Sequence, residues 1–231
     1  MRMLLSCSLA LLLITGTATF AAAPEITTDE QKALYALGLA VSRSLGNFML
    51  SEAELEIVKV GITDGALQRT PKVDLQAYMP KLQELQKTRI EAMVAVEKKA
   101  GEEFLTKAAA EPGAKKTESG LVIKTLTPGT GAVPTADDTV TVHYKGSLID
   151  GTVFDNSMDR GQPATFPLKG VIKCWSEGVQ LMHVGDKSRL VCPSQIAYGD
   201  NGIPQRIKPG ATLIFDVELL DIVKEEKKEA K

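Results

Sequence analysis

Hydrophobic positions recur with a helical period near the start of the chain. Thr28 and Gln31 have the spacing of a capping box, and Ser51 and Glu54 repeat it. Apolar or small residues that follow these two start signals recur about every 3.6 residues, which predicts two short amphipathic helices. They are Leu34, Leu37, Gly38, Val41, Leu45 and Phe48, and then Leu55, Val58 and Ile62.

A third helix is predicted from about Asp74 to Ala110, and Pro80 predicts a late start or a kink in it. Its apolar stripe fades over residues 97–103, which are mostly charged. Because a helix that is polar all round usually crosses solvent between domains, we expect this part to hold two domains apart. Pro112 then ends the helical half. The stripe itself is Leu82, Leu85, Ile90, Met93 and Val94.

The second half of the chain alternates between apolar and polar residues, which indicates antiparallel strands. The alternation is strict over residues 139–144, where Val140, Val142 and Tyr144 share one face. Further strands are predicted at 121–126, 187–192 and 213–223, and one short helix at 172–182. These elements predict an α+β fold whose sheet is antiparallel.

Composition and charge exclude several classes of function. The 231 residues include 27 Lys and Arg against 29 Asp and Glu, so no nucleic-acid partner is expected. His143 and His183 are the only histidines and lack metal-ligand spacing. Gly129 and Gly131 are not followed by the lysine of a phosphate loop. From these two observations together, neither a metal nor a cofactor is expected.

The first 23 residues are predicted to be a cleaved secretory signal peptide. Arg2 precedes an apolar run at residues 4–14, and small residues follow as far as Ala23. The run is too short to span a membrane, and no other segment is long enough. We expect a periplasmic protein, with outer-membrane association or secretion as further destinations. Residues 224–231 are expected to be a solvated charged tail.

Export changes what the cysteines imply. Removal of the signal removes Cys7 and leaves Cys174 and Cys192. Two cysteines in an oxidising compartment make a disulfide candidate, and two buried thiols that pack as small hydrophobes are the alternative.

An ordered run of short motifs occupies residues 142–220. It comprises Val142–Tyr144, Asp150–Gly151, Phe154–Asp155, Val171–Ile172, Trp175, Glu177–Val179, Ala197–Gly199 and Ala211–Leu220. Their order and spacing resemble the FKBP-type peptidyl-prolyl cis-trans isomerases. The helical layout of residues 28–112 resembles the macrophage infectivity potentiator and FkpA-like branch of that family.

The resemblance implies a particular architecture. Residues 24–112 would form a helical dimerisation domain that ends in a long connecting helix. Residues 118–223 would form the isomerase domain, a twisted antiparallel half-barrel around one short helix. The residues also favour a homodimer, because two short helices cannot cover their own apolar faces. A monomeric helical cap is the alternative.

The resemblance also implies an apolar pocket that rotates X-Pro amide bonds without a metal or cofactor. Trp175 would be its floor, Asp155 would lie at its rim, and the Tyr198 hydroxyl and the Ile172 N–H would bind substrate carbonyls. The expected catalytic residues are Tyr144, Phe154, Asp155, Trp175, Tyr198 and Phe215, and the expected substrate-binding residues are Phe166, Val171, Ile172, Ile203 and Ile207. Taken singly, Phe166, Val171 and Phe215 are better explained as ordinary core residues, and only the ordered set of motifs points to a pocket.

The implied partners are unfolded or proline-containing polypeptides, and macrolides of the FK506 class as inhibitors. We therefore expect a prolyl isomerase that assists the folding of exported proteins. The alternative function is a non-enzymatic holdase chaperone or peptide-binding module that uses the same pocket.

Overall fold

The computed structural model describes residues 25–223, which form four α-helices and seven β-strands. The predicted signal, Cys7 and the charged tail lie outside the described residues. The chain packs as two compact units, one that ends at Ala40 and one that begins at Val41. No helix within residues 25–223 is both long enough and apolar enough to cross a membrane.

Helix α1 spans Asp29–Ser42, and the predicted capping box precedes it. The Thr28 N–H donates to the Gln31 side chain (3.0 Å), and the Gln31 N–H donates to the Thr28 hydroxyl (3.2 Å).

The predicted continuation of this helix to Phe48 is wrong, because Arg43–Phe48 forms a 3₁₀ helix. The Ser44 hydroxyl donates to the Val41 carbonyl (2.7 Å), a local bond of the kind that competes with regular helix hydrogen bonding.

Helix α2 spans Glu52–Ala66 and begins at the predicted Ser51–Glu54 capping box. Helix α3 spans Leu75–Ala109. The Asp74 carboxylate accepts from the Gln76 N–H (2.9 Å) and caps α3, so this helix begins before Pro80 rather than after it.

The first half of α3 contacts the elements that precede it. The Arg89 guanidinium donates to the Phe48 carbonyl (2.7 Å) and forms an ion pair with Glu54. Arg89 therefore links α3 to both the 3₁₀ helix and α2.

The second half of α3 does not cross solvent, which corrects the prediction from its charged sequence. Gly101, Leu105 and Ala108 are buried, and the last two pack against Val122 and Val191 of the sheet. These three residues follow the i, i+4, i+7 spacing of a helix face. Two of them are small, so the stripe is inconspicuous among the charged residues around it.

The seven strands form one antiparallel sheet in the order β1-β2-β6-β7-β3-β4, with β5 paired to β3. The strands are β1 (Ala114–Lys116), β2 (Val122–Thr127), β3 (Thr139–Leu148), β4 (Val153–Asn156), β5 (Ala164–Pro167), β6 (Lys187–Cys192) and β7 (Leu213–Val223). The bounds of β6 and β7 are those predicted, whereas β2 is shifted by one residue and β3 is longer. Strands β1, β4 and β5 were not predicted, because three or four residues are too few to show alternation.

Helix α4 spans Lys173–Val179, which is shorter than the predicted segment. The main core lies between α4 and the inner face of the sheet. A Cβ atom at Gly178 would lie 2.8 Å from a Leu190 methyl carbon, so the glycine lets the helix lie directly on β6. The sheet is open and wraps one short helix, as the resemblance implied.

A disulfide joins Cys174 at the start of α4 to Cys192 at the end of β6. Their Cα atoms are 5.8 Å apart, and both residues are buried. The bridge therefore fixes the residue before Trp175 to the strand beneath it.

We predict that the chain from residue 24 onward, unfolded without reductant, contains no free thiol in a thiol titration. Reduction should expose two thiols and lower the free energy of unfolding by about 3 kcal/mol, because a short cross-linked loop restricts the unfolded chain. The double variant Cys174→Ser/Cys192→Ser should lose this response to reductant. Two reactive thiols before reduction would contradict the bridge.

Candidate functional site

The indole of Trp175, from α4, lies at the centre of an aromatic cluster and is 4% exposed. The rings of Tyr144, Phe215 and Phe166 lie 5.1, 5.4 and 5.7 Å from it, each edge-to-face at 87°. Strands β3, β5 and β7 and helix α4 thus supply four rings that hold one another in fixed orientations. The indole N–H is buried and makes no hydrogen bond to any described residue. The cluster offers an apolar floor because aromatic rings form it.

A cleft of about 330 Å³ opens above this floor. It is lined by Tyr144, Phe154, Asp155, Phe166, Gly170, Val171, Ile172, Trp175, Tyr198 and Phe215. Nine of these ten residues were expected in the pocket, and Gly170 was not. The volume is within the range of small-ligand pockets.

Ile203 and Ile207 do not line this cleft, which differs from the expectation. They pair with each other across a narrow turn, with both N–H···O distances at 2.8 Å. Ile207 is buried, and both side chains pack against the main core. Their side chains thus contribute to packing beneath the loop instead of facing the pocket.

The polar rim of the cleft is a closed set of three hydrogen bonds. The Tyr144 hydroxyl donates to Asp155 (2.6 Å), and the Arg160 guanidinium donates both to Asp155 (2.8 Å) and to the Tyr144 hydroxyl (2.9 Å). Sequence reasoning missed Arg160, because only the 3₁₀ helix Ser157–Arg160 brings it back to Asp155.

These contacts fix the charge state of the rim. Burial acts to raise the pKa of Asp155, but the hydrogen bonds from Tyr144 and Arg160 outweigh it, so the pKa lies below its ordinary value. Burial and the bond to Asp155 raise the pKa of Tyr144. At neutral pH, Asp155 is therefore ionised and Tyr144 is protonated.

Two hydrogen-bond donors at the cleft remain unused. Within the described chain, neither the Tyr198 hydroxyl nor the Ile172 N–H donates to another residue. Burial, and then the charge of Asp155, raises the pKa of Tyr198, so its hydroxyl stays protonated. Both groups are free to bind carbonyl oxygens.

Gly146 of β3 makes room for the aromatic walls. A Cβ atom there would lie 2.7 Å from the Phe154 ring and 2.9 Å from the Phe215 ring. Sequence reasoning did not select this residue. The available signal was a glycine inside a strand, which often marks a close approach by another group.

The described residues contain no group of three His, Cys, Asp or Glu side chains placed to hold a metal ion. The cleft itself holds one carboxylate, and Arg160 neutralises it.

Comparisons with known proteins agree with this geometry. The family described as FKBP-type peptidyl-prolyl cis-trans isomerase matches residues 131–220, and the domain amino-terminal to it matches residues 30–124. The FKBP-type peptidyl-prolyl cis-trans isomerase FkpA of Aeromonas hydrophila is 44% identical over 212 residues, covering 87% of this chain and 79% of the relative.

Two further relatives are similar to this chain over most of its length. The peptidyl-prolyl cis-trans isomerase Mip of Coxiella burnetii is 35% identical, covering 92% of this chain and 94% of the relative. The crystal structure of FkpA from Escherichia coli superposes with a TM-score of 0.64 at 36% identity, covering 86% of this chain and 98% of that one.

Relatives named as isomerases match nearly the whole chain, which favours an enzyme over a binding module without turnover. The chain belongs to the FKBP-type peptidyl-prolyl cis-trans isomerase family, and it is an enzyme that interconverts the cis and trans forms of X-Pro peptide bonds.

Proposed function

We propose that the isomerisation takes place in the aromatic cleft above Trp175. The observation that carries this proposal is an apolar floor of four interlocked rings with two unused hydrogen-bond donors at its edge. A proline ring on the indole would place its preceding amide near those donors.

The barrier explains why such a cleft is sufficient. Rotation about the amide must overcome about 18–20 kcal/mol, because resonance gives the C–N bond partial double-bond character. Water stabilises the planar, polar amide more than the twisted one, so an apolar cleft removes part of that preference. Bringing a step of about a hundred seconds to milliseconds requires roughly 7 kcal/mol, which several modest interactions supply without a covalent intermediate.

The two tyrosines of the cleft have different roles in this proposal. The Tyr144 hydroxyl already donates to Asp155 and accepts from Arg160, so it orients the rim. The free Tyr198 hydroxyl donates to a substrate carbonyl, and the Ile172 N–H donates to a second one. Phe154, Phe166, Val171 and Phe215 form the walls. The same cleft would admit macrolides of the FK506 class.

We further propose that the chain is a homodimer joined through residues 24–112. On α1, Leu34 is 62% exposed and Leu37 is 61% exposed. These residues lie on the predicted apolar stripe, and both are exposed in the part of the chain that the structure describes. A second copy would bury them, and residues 118–223 would then supply one isomerase domain from each subunit.

The clients we propose are exported polypeptides that are unfolded or rich in proline. A secretory signal over residues 1–23 would place the enzyme in the periplasm, where such chains fold. Outer-membrane association or secretion would follow from further sorting. Two sites in one dimer would bind a chain with several prolines more tightly than one site does.

Tyr198→Phe should lower kcat/KM for an X-Pro peptide about two- to tenfold in a protease-coupled assay. One hydrogen bond to the substrate is worth about 0.5–1.5 kcal/mol, and about 1.4 kcal/mol is a factor of ten in rate. Tyr78→Phe removes the same hydroxyl from an exposed position on α3 and should leave kcat/KM unchanged. An active Tyr198→Phe enzyme with wild-type kcat/KM would refute the proposed donor.

Light scattering of the chain from residue 24 onward should give twice the mass of one chain. Leu34→Asp/Leu37→Asp should give the mass of one chain, because each leucine buried in the interface contributes about 1.5–3 kcal/mol. Leu181→Asp introduces the same change at a 51% exposed leucine outside α1 and should leave the dimer intact. A monomeric parent chain would overturn the proposal.

Expression of the full sequence in a bacterium should yield a periplasmic protein whose amino-terminal residue, by sequencing, lies within 22–24. The small residues Ala21 and Ala23 are the expected cleavage positions. Recovery of a protein that still begins at Met1 would rule out cleavage.

A further inference from the structure

The loop of residues 199–210, here called the flap loop, has a fixed internal shape. The Gly210 N–H donates to the Gly199 carbonyl (3.0 Å) and closes its base. The reciprocal bonds between Ile203 and Ile207 close its tip. These hydrogen bonds hold the loop closed at its base and at its tip.

The flap loop is tied to two residues of the catalytic cleft. The Gly202 N–H donates to the carbonyl of Tyr198 (3.2 Å), and the Arg206 guanidinium donates to the carbonyl of Phe154 (2.7 Å). A displacement of the loop would therefore move both a wall of the cleft and the proposed donor.

Helix α3 holds the same loop from its other side through two ion pairs. Lys98 contacts Asp200 near the start of the loop (2.7 Å), and Glu97 contacts Lys208 near its end (3.1 Å). The Glu97 side chain is only 13% exposed, so solvent screens its pair less than it screens an open surface pair.

Two glycines let α3 lie close to the flap loop and to Thr212, two residues beyond its end. A Cβ atom at Gly210 would lie 3.0 Å from the Cα of Val94, and one at Gly101 would lie 2.2 Å from the Thr212 hydroxyl oxygen. Glycine inside a helix is destabilising relative to alanine, and this close approach gives Gly101 a structural reason. The contact extends over two turns of α3.

We propose that residues 94–101 of α3 are a positioning element of the isomerase site. Glu97 and Lys98 hold the flap loop through Lys208 and Asp200, and the loop in turn fixes Tyr198 and Phe154 where they meet the substrate. This inference rests on the proposed role of the cleft. The connecting helix therefore sets peptide affinity as well as joining the two parts of the chain.

The test is a charge swap across the Glu97–Lys208 pair in the full mature chain. Glu97→Lys and Lys208→Glu should each raise KM for an X-Pro peptide about fivefold, a factor that corresponds to about 1 kcal/mol, while kcat stays within twofold. The double variant Glu97→Lys/Lys208→Glu should restore KM to within twofold of the parent value. Lys208→Met, which removes the charge without adding repulsion, should raise KM by a smaller factor.

The Lys124–Glu111 pair provides matched controls. It joins β2 to the residue just beyond the end of α3 at 2.9 Å and makes no contact with the flap loop. Lys124→Glu and Glu111→Lys carry the same charge changes and should leave KM unchanged. Hydrogen exchange at the Gly202 and Ile207 amides should accelerate in Lys208→Glu and not in Lys124→Glu.

A parent-like KM in Lys208→Glu, or a double variant no better than the single variants, would overturn the inference. So would an equal rise of KM in the control variants, since it would indicate a general effect of charge. These outcomes leave the proposed cleft standing, because Tyr198→Phe tests that role without disturbing the ion pairs.

Discussion

The edge-to-face packing around Trp175 is the constraint on which the site depends. Three rings approach the indole at 87°, and each comes from a different strand. The indole therefore cannot turn or sink without displacing β3, β5 or β7. The disulfide adds a covalent limit, since Cys174 precedes the indole and is joined to the end of β6. A cavity floor held in this way keeps its shape when it is empty, which reduces the ordering needed on binding.

The hydrogen bonds at the rim stabilise a charged carboxylate beside an apolar cavity. Burial opposes the charge of Asp155, but Tyr144 and Arg160 satisfy both of its oxygens. Two of the three rim hydrogen bonds occupy the Tyr144 hydroxyl, which leaves Tyr198 as the tyrosine able to donate across the cleft. The two tyrosines differ in function because their hydrogen-bond partners differ.

The connection between the helical and sheet parts is closer than the charge pattern of α3 indicates. Its buried stripe of Gly101, Leu105 and Ala108 packs on the sheet side, and its ion pairs reach the flap loop. Because Gly101 and Ala108 are small, α3 can lie close to the sheet. The large apolar side chains that normally identify a buried helix face in a sequence are therefore few here. A helix whose charged sequence predicts exposure to solvent can therefore be partly buried in the folded chain.

Local sequence patterns were enough to predict the long elements and the apolar character of the cleft. Both capping boxes, the long third helix, and strands β6 and β7 follow from local patterns, because their hydrogen bonds and alternation involve neighbouring residues. The aromatic members of the cleft followed from the order of their motifs, which the family resemblance supplied.

The remaining features could not be predicted from local patterns, because they depend on contacts between residues that are far apart in the chain. The place of Arg160 beside Asp155, the room that Gly146 leaves for Phe154, and the contact of Glu97 with Lys208 are set by how strands and helix meet. Ile203 and Ile207 lie outside the cleft for the same reason. They pair with each other across a turn, and their side chains pack against the core beneath the loop.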